Sequence, residues 1–200
     1  MLNKILISVL ALFVLISAAH AIDTSGWTNA TVGYETFKIP PEYKNPYSSD
    51  FNMYEADEDI HVFTVRYVNP RIMDLYGYFM EHNSIVKKVN VAGHDAVFFS
   101  GYDRASESNN SKLWFSAGED FYYIAWRGSN ITPTIEEVVK SASPSSYNHT
   151  EFYSILDNEY SSYKIVNAIE SQRYDYPSSD KGSHSFISIG SNGVNFGFLN

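Results

Sequence analysis

Residues 5–19 read ILISVLALFVLISAA, an unbroken apolar run that follows Lys4 and leads into Ala19-His20-Ala21. One positive charge, a short apolar stretch and a small-x-small site have the form of a secretory leader, with cleavage expected after Ala21. No polar face appears anywhere in the run, which sets it apart from a core helix. It is only slightly shorter than the ~18–20 residues needed to span a bilayer, so retention as a membrane anchor is the alternative. The expectation is a secreted or cell-surface protein whose folded part is 22–200, with no membrane contact once the leader is removed. Such a chain folds outside the cell, where small domains commonly rely on disulfides. This one has no cysteine. It has neither a disulfide framework nor a cysteine to carry a lipid or a thiolate metal site. Its core must come from burial alone, and 13 Phe, 16 Tyr and 3 Trp supply the area.

Charge narrows the function. The net charge is −9, and the leader holds one basic residue and no acidic one, so the exported part is more acidic still. Lys87-Lys88 is the single adjacent basic pair. An acidic surface without a basic patch repels nucleic acid and anionic lipid, so no nucleic-acid partner is expected.

Apolar periodicity gives an element order. Tyr34-Glu35-Thr36-Phe37-Lys38-Ile39 alternates and stops at Pro40-Pro41, as a first strand does, after a polar lead-in over 22–33. Phe51-Asn52-Met53-Tyr54 alternates more faintly, and the acidic run 55–59 reads as a turn. IHVFTVRYV, 60–68, is a strong strand of β-branched and aromatic residues. Asn69-Pro70 opens a helix, with Asn as cap and Pro at its first position, and the periodicity predicts it over 70–87. Residues 89–92 and 96–99 form two apolar runs around Gly93-His94-Asp95, whose composition predicts a turn. Residues 105–112, ASESNNSK, read as an exposed loop. A hairpin follows, 113–116 and 121–126 around Ala117-Gly118-Glu119-Asp120, and then a helix over 132–142 capped by Thr132 with Pro133 behind it. Residues 152–169 keep a helical period, 176–182 are a linker, and Gly190-Ser191-Asn192-Gly193 joins two last strands.

The fold class expected is α+β, an antiparallel sheet packed against two helices over 22–143. A C-terminal helix and hairpin over 144–200 extend it and are expected to pack on that domain. Within 34–143 the order of elements carries four short motifs: Phe37-Lys38-Ile39-Pro40 as the opening strand, Val91-Ala92-Gly93-His94-Asp95-Ala96 as a turn, Phe121-Tyr122-Tyr123-Ile124 as a strand, and a closing helix over 135–141. In these the chain resembles the PsbP-like α/β fold, which occurs in small exported or lipid-anchored bacterial and archaeal proteins. The resemblance implies an accessory or binding domain and brings no catalytic residues with it. Residues 144–200 fall outside it.

Candidate chemistry is sparse. Outside the leader the histidines are His61, His82, His94, His149 and His184, with no metal-site spacing and no H-E-x-x-H, so no metal is expected. Asp57-Glu58-Asp59 reads as a solvated turn, since it lacks the alternation and later Glu of a calcium loop. No G-x-S-x-G elbow or phosphate-cradling loop occurs, no cofactor is expected, and no residue is assigned a catalytic role. His94 and Asp95 with a distant serine would be the route to an extracellular hydrolase, the alternative to a binding protein. A hydrated structural envelope protein is the third reading. The aromatic hairpin is the candidate binding surface. Consecutive aromatics point to both faces of a sheet, and Trp114, Tyr122 and Trp126 could form an outward row that stacks on an envelope polysaccharide or another exported protein. Asn29, Asn109, Asn130 and Asn148 each open an Asn-x-Ser/Thr sequon, where a glycan could attach.

Overall fold

The computed structural model describes residues 22–58, 61–70, 73–104, 107–174, 184–190 and 193–199. The leader and the linker 176–182 lie outside the described residues. The chain divides into two compact units, one ending at Tyr163 and the other starting at Lys164. The first unit thus runs past the boundary read at residue 143.

Eleven strands are present among the described residues: β1 (Thr28–Val32), β2 (Glu35–Ile39), β3 (Ser48–Ser49), β4 (Met53–Glu58), β5 (His61–Val68), β6 (Ile85–Val91), β7 (His94–Asp103), β8 (Ser108–Ala117), β9 (Asp120–Arg127), β10 (His184–Gly190) and β11 (Gly193–Leu199). Three α-helices accompany them, α1 (Asp74–His82), α2 (Pro133–Lys140) and α3 (His149–Tyr174), with a 3-10 turn at Pro41–Tyr43. The protein is α+β, as expected. Strands β3 to β9 form one antiparallel sheet in the order β3-β4-β5-β9-β8-β7-β6, and β1-β2 is a separate hairpin in the same unit. The last two strands, β10 and β11, pair with each other in the second unit.

Period-2 alternation sends the side chains of the large sheet into two cores. On one face Phe63 and Val65 of β5, Tyr122, Ile124 and Trp126 of β9, and Leu113 and Phe115 of β8 pack with Phe37 and Ile39 of the β1-β2 hairpin and with Ile135, Val138 and Val139 of α2. On the other, Trp114, Phe121, Tyr123, Val97 and Phe99 pack under Tyr76 and Phe79 of α1 and Phe152, Tyr153 and Leu156 of α3. Each of these large side chains contributes ~1.5–3 kcal/mol on burial, which is how a chain without disulfides holds. Thr132 caps α2 as read: its Oγ1 accepts the Ile135 amide at 3.3 Å. Asn148 and Glu151 cap α3 reciprocally, the Glu151 amide donating to Asn148 Oδ1 and the Asn148 amide to Glu151 Oε2, both at 3.0 Å.

Five local expectations are corrected. The polar lead-in contains β1, which turns Ala30 and Val32 inward and leaves the rest exposed. The acidic run is not a turn from residue 55, since β4 continues through Glu58 against β5. The helix expected over 70–87 with Asn69 as its cap runs only from Asp74 to His82, with Met73 at its N-cap, and Ile85–Val91 is the edge strand β6. Most of the expected loop at 105–112 is strand, because β8 pairs with β7 back to Ser108. The turn at 92–93 is shorter than read. Val91 pairs with His94 across Ala92 and Gly93, both at positive φ (51° and 91°), so His94 and Asp95 are already in β7. Positive φ at both central residues is what a two-residue hairpin of this twist requires.

Candidate functional site

The aromatic row expected on the β8-β9 hairpin does not face solvent. Trp114 and Tyr122 are wholly buried and Trp126 is 4% exposed. Register explains it. Trp114 pairs with Tyr123, so it lies on the opposite face from Tyr122 and Trp126, and each face has its own cover of helix or hairpin. Trp126 Nε1 donates to the Asn130 carbonyl at 3.0 Å, while Trp114 Nε1 finds no acceptor among the described residues. These are core residues.

His94 and Asp95 do not form a dyad. His94 is buried; its Nδ1 donates to the Ser116 carbonyl at 2.9 Å, and its ring meets Phe115 edge-on. Asp95, the next residue on a strand, leaves on the other face. There it accepts from His149 Nδ1 at 3.1 Å and from Asn90 Nδ2 at 3.4 Å. Among the described residues no group of three or more His, Cys, Asp or Glu is placed to hold a metal ion, and no helix is long and apolar enough to cross a membrane. Asn29, Asn109, Asn130 and Asn148 are all exposed.

The aromatics that do reach solvent converge elsewhere. Tyr34 sits at the tip of the β1-β2 turn and is 71% exposed, and Phe51 sits at the tip of the β3-β4 connection and is 53% exposed. Tyr67, half-buried near the end of β5, lies between them. The three rings form a triangle with centroids 5.3 Å (Tyr34–Phe51), 5.8 Å (Tyr34–Tyr67) and 5.8 Å (Phe51–Tyr67) apart, each pair edge-to-face. That arrangement sets ring edges, which are positive, against negative ring faces.

The triangle is held from below. The Gly33 amide donates to the Phe51 carbonyl at 2.5 Å, the Tyr67 amide to the Asn52 carbonyl at 2.8 Å, and the Tyr34 amide to Tyr122 Oη at 3.3 Å. Asp50 folds the Phe51 tip by accepting the amides of Asn52 and Met53 at 2.7 and 2.9 Å, an Asx turn. The Tyr67 hydroxyl bonds to Asp120. Burial pushes the Asp120 carboxyl above its ordinary value, the bond from Tyr67 opposes that, and Glu119 and Glu35 add to it by repulsion. Burial likewise raises the Tyr67 hydroxyl, and it raises that of Tyr122 much further. Both phenols therefore stay protonated and act as neutral hydrogen-bonding groups at ordinary pH.

Beside the triangle runs a cleft of about 470 Å³ lined by Asn52, Arg66, Tyr67, Val68, Asn69, Asp74 and Leu75. Arg66 is exposed, and its guanidinium also bonds the Tyr123 hydroxyl. Apolar ring faces and a polar cleft carrying donors and acceptors thus adjoin on one rigid support. Sequence reading passed over Tyr34 and Phe51 because nothing local joins them. Their neighbourhood depends on contacts between distant positions, among them the backbone hydrogen bond from 33 to 51. No protein-family model matches this chain, and neither a curated protein nor a solved structure does.

Proposed function

We propose that this is an exported, cell-surface binding domain that holds an envelope polysaccharide on the Tyr34–Phe51–Tyr67 triangle and in the adjoining cleft. The observation that carries the reading is the solvent exposure of two large aromatic rings on a support fixed by backbone hydrogen bonds. A sugar ring offers a face of polarised C–H groups to an aromatic face and a rim of hydroxyls to Asn52, Arg66, Asn69 and Asp74. A support already in place avoids the cost of ordering loops on binding. Export rests on the leader-like segment at 5–21, and the PsbP-like resemblance over 34–143 is in keeping with a non-catalytic accessory role. The polysaccharide is the favoured envelope component because the surface is acidic and aromatic, which disfavours anionic lipid.

The test is sedimentation of the purified chain with isolated cell envelopes and with the polysaccharide fraction extracted from them, in low and high salt. Saturable binding that survives salt and falls about tenfold or more in a folded Tyr34→Ala/Phe51→Ala variant is the expected result. Binding that is unchanged in that variant, or that resides in the protein fraction alone, overturns it.

A further inference from the structure

A second cavity lies on the α1 side of the sheet, between the C-terminal end of α1 and the strands β7 and β8. It holds about 220 Å³ and is lined by Tyr78, Phe79, His82, Asn83, Gly101, Tyr102, Asp103, Asn110 and Lys112. Its floor is the sheet. Lys112 pairs with Phe99 in the middle of β8, and Asn110 pairs with Gly101 one step along the same face. A half-buried lysine here sits where that face passes from the core aromatics Phe99 and Trp114 to the polar Asn110. Its ammonium sits 5.0 Å over the Phe79 ring, and among the described residues no carboxylate oxygen lies within 4 Å of it. Burial lowers its proton affinity, and Asp103 works against that from a longer distance.

The walls are shaped as well. Tyr78 and His82 stack at 4.1 Å and 17°, and His82 Nδ1 donates to the Tyr78 carbonyl at 2.9 Å, which fixes the ring. That bond makes Nδ1 the donor and leaves Nε2 as the acceptor in the neutral ring. Asp103 is held by Asn110 Nδ2 at 3.1 Å, and the Ser108 hydroxyl donates to Asn110 Oδ1 at 3.3 Å. Tyr102 is exposed at the rim. The cavity therefore presents one cation, one anion held by Asn110 and aromatic walls, in a volume below the ~300–1,000 Å³ of pockets for drug-sized ligands.

We propose that this cavity binds a small zwitterion of the α-amino-acid class, its carboxylate on Lys112 and its ammonium on Asp103. A simple anion of that size would meet Asp103, and a simple amine would meet Lys112. A zwitterion meets each with its opposite charge and brings a carboxylate into contact with the half-buried ammonium, which Asp103 reaches only from a longer distance. The Tyr78 and Tyr102 rings line the path for the side chain. The site is separate from the triangle and does not depend on it.

The test is calorimetric titration of the purified chain with L-alanine and L-tyrosine, and with acetate and methylammonium at the same ionic strength as single-charge probes. Saturable binding of an amino acid is expected, with each single-charge probe about tenfold or more weaker. Lys112→Met and Asp103→Asn are expected to weaken binding by a similar factor while retaining a cooperative melt. Acetate binding as tightly as alanine would reduce the cavity to an anion site and overturn the proposal. So would absence of any titration, or unchanged binding in folded Asp103→Asn.

Discussion

The ring of Tyr67 occupies the space that any side chain at Gly33 would need: a Cβ built there would stand 2.7 Å from Tyr67 Cδ2. Gly33 also has φ +60°, a conformation that side chains resist. Gly33→Ala therefore strains the backbone by about 1–2 kcal/mol and displaces the central ring of the triangle, at about 1–3 kcal/mol more. Both a lowered Tm and weakened envelope binding are expected. A Gly33→Ala protein with wild-type binding would show that the triangle is not the contact surface.

Stability and binding separate between two sets of aromatics. Trp114→Ala removes a fully buried indole that packs on Tyr76, Phe79 and Tyr123. A loss of ~3–5 kcal/mol is expected from denaturant unfolding. Tyr34→Ala and Phe51→Ala remove exposed rings whose contacts are edge-to-face at the surface, and each is expected to cost no more than about 1 kcal/mol. Their effect should appear in envelope binding instead. Tyr34→Ala and Phe51→Ala proteins that bind envelopes as tightly as wild type would remove the triangle as the contact surface.

Those two sets also show what the sequence makes legible. Alternation in IHVFTVRYV and in the β8-β9 hairpin marks the central strands, and Thr132-Pro133 marks α2, because each signal is local. The edges are less readable. Strand β1, with only Ala30 and Val32 turned inward, has a polar composition. Ile85–Val91 continues the apolar spacing of α1 but is an exposed edge strand with two lysines. Ser108–Lys112 has a loop-like composition and becomes strand through pairing with β7, a tertiary override of propensity. The outward aromatic row failed as an expectation for a similar reason: which face is covered depends on where the β1-β2 hairpin, α2 and α3 land. The triangle depends on contacts between residues that are far apart in the chain.

The β6-β7 turn carries an unneeded strain. Ala92 holds φ 51°, which an alanine adopts only at a cost, whereas Asn-Gly is the sequence suited to a turn with two positive φ values. Ala92→Asn is expected to stabilise the protein by about 0.5–1 kcal/mol, a rise in Tm of about 1–4 °C. No change, or a loss, would mean that Ala92 makes a contact that asparagine disturbs.

Asp120 should show a pH-dependent penalty. Burial and the repulsion of Glu119 and Glu35 raise its folded-state value above 3.8 despite the bond from Tyr67. Between the unfolded and the folded value the native state holds more protons, so stability falls as pH rises through that window. Asp120→Asn keeps an acceptor for the Tyr67 hydroxyl and removes the charge. The variant is expected to be more stable than wild type near neutral pH, with the difference vanishing in acid below the carboxylate range. A difference that persists unchanged in acid would assign it to something other than ionisation.

Lys112 carries the opposite sign. Burial depresses its folded-state value below 10.5, with Asp103 opposing. Across the window from that depressed value up to the ordinary lysine value, the unfolded chain holds more protons than the native one, so wild-type stability rises with pH there. Below the window both states are charged, and the folded protein bears the full cost of a half-buried ammonium. Lys112→Met keeps the length of the apolar stem and its packing on Phe79 while removing the charge. The variant is expected to exceed wild type most near neutral pH, with the gap closing as the pH approaches the ordinary lysine range, as read from denaturant midpoints on both proteins. Saturating L-alanine should narrow the same gap at neutral pH by stabilising only the wild type, since a ligand that binds the native state raises its stability by mass action. A variant less stable than wild type at neutral pH without ligand would mean that the ammonium already has its compensation within the fold.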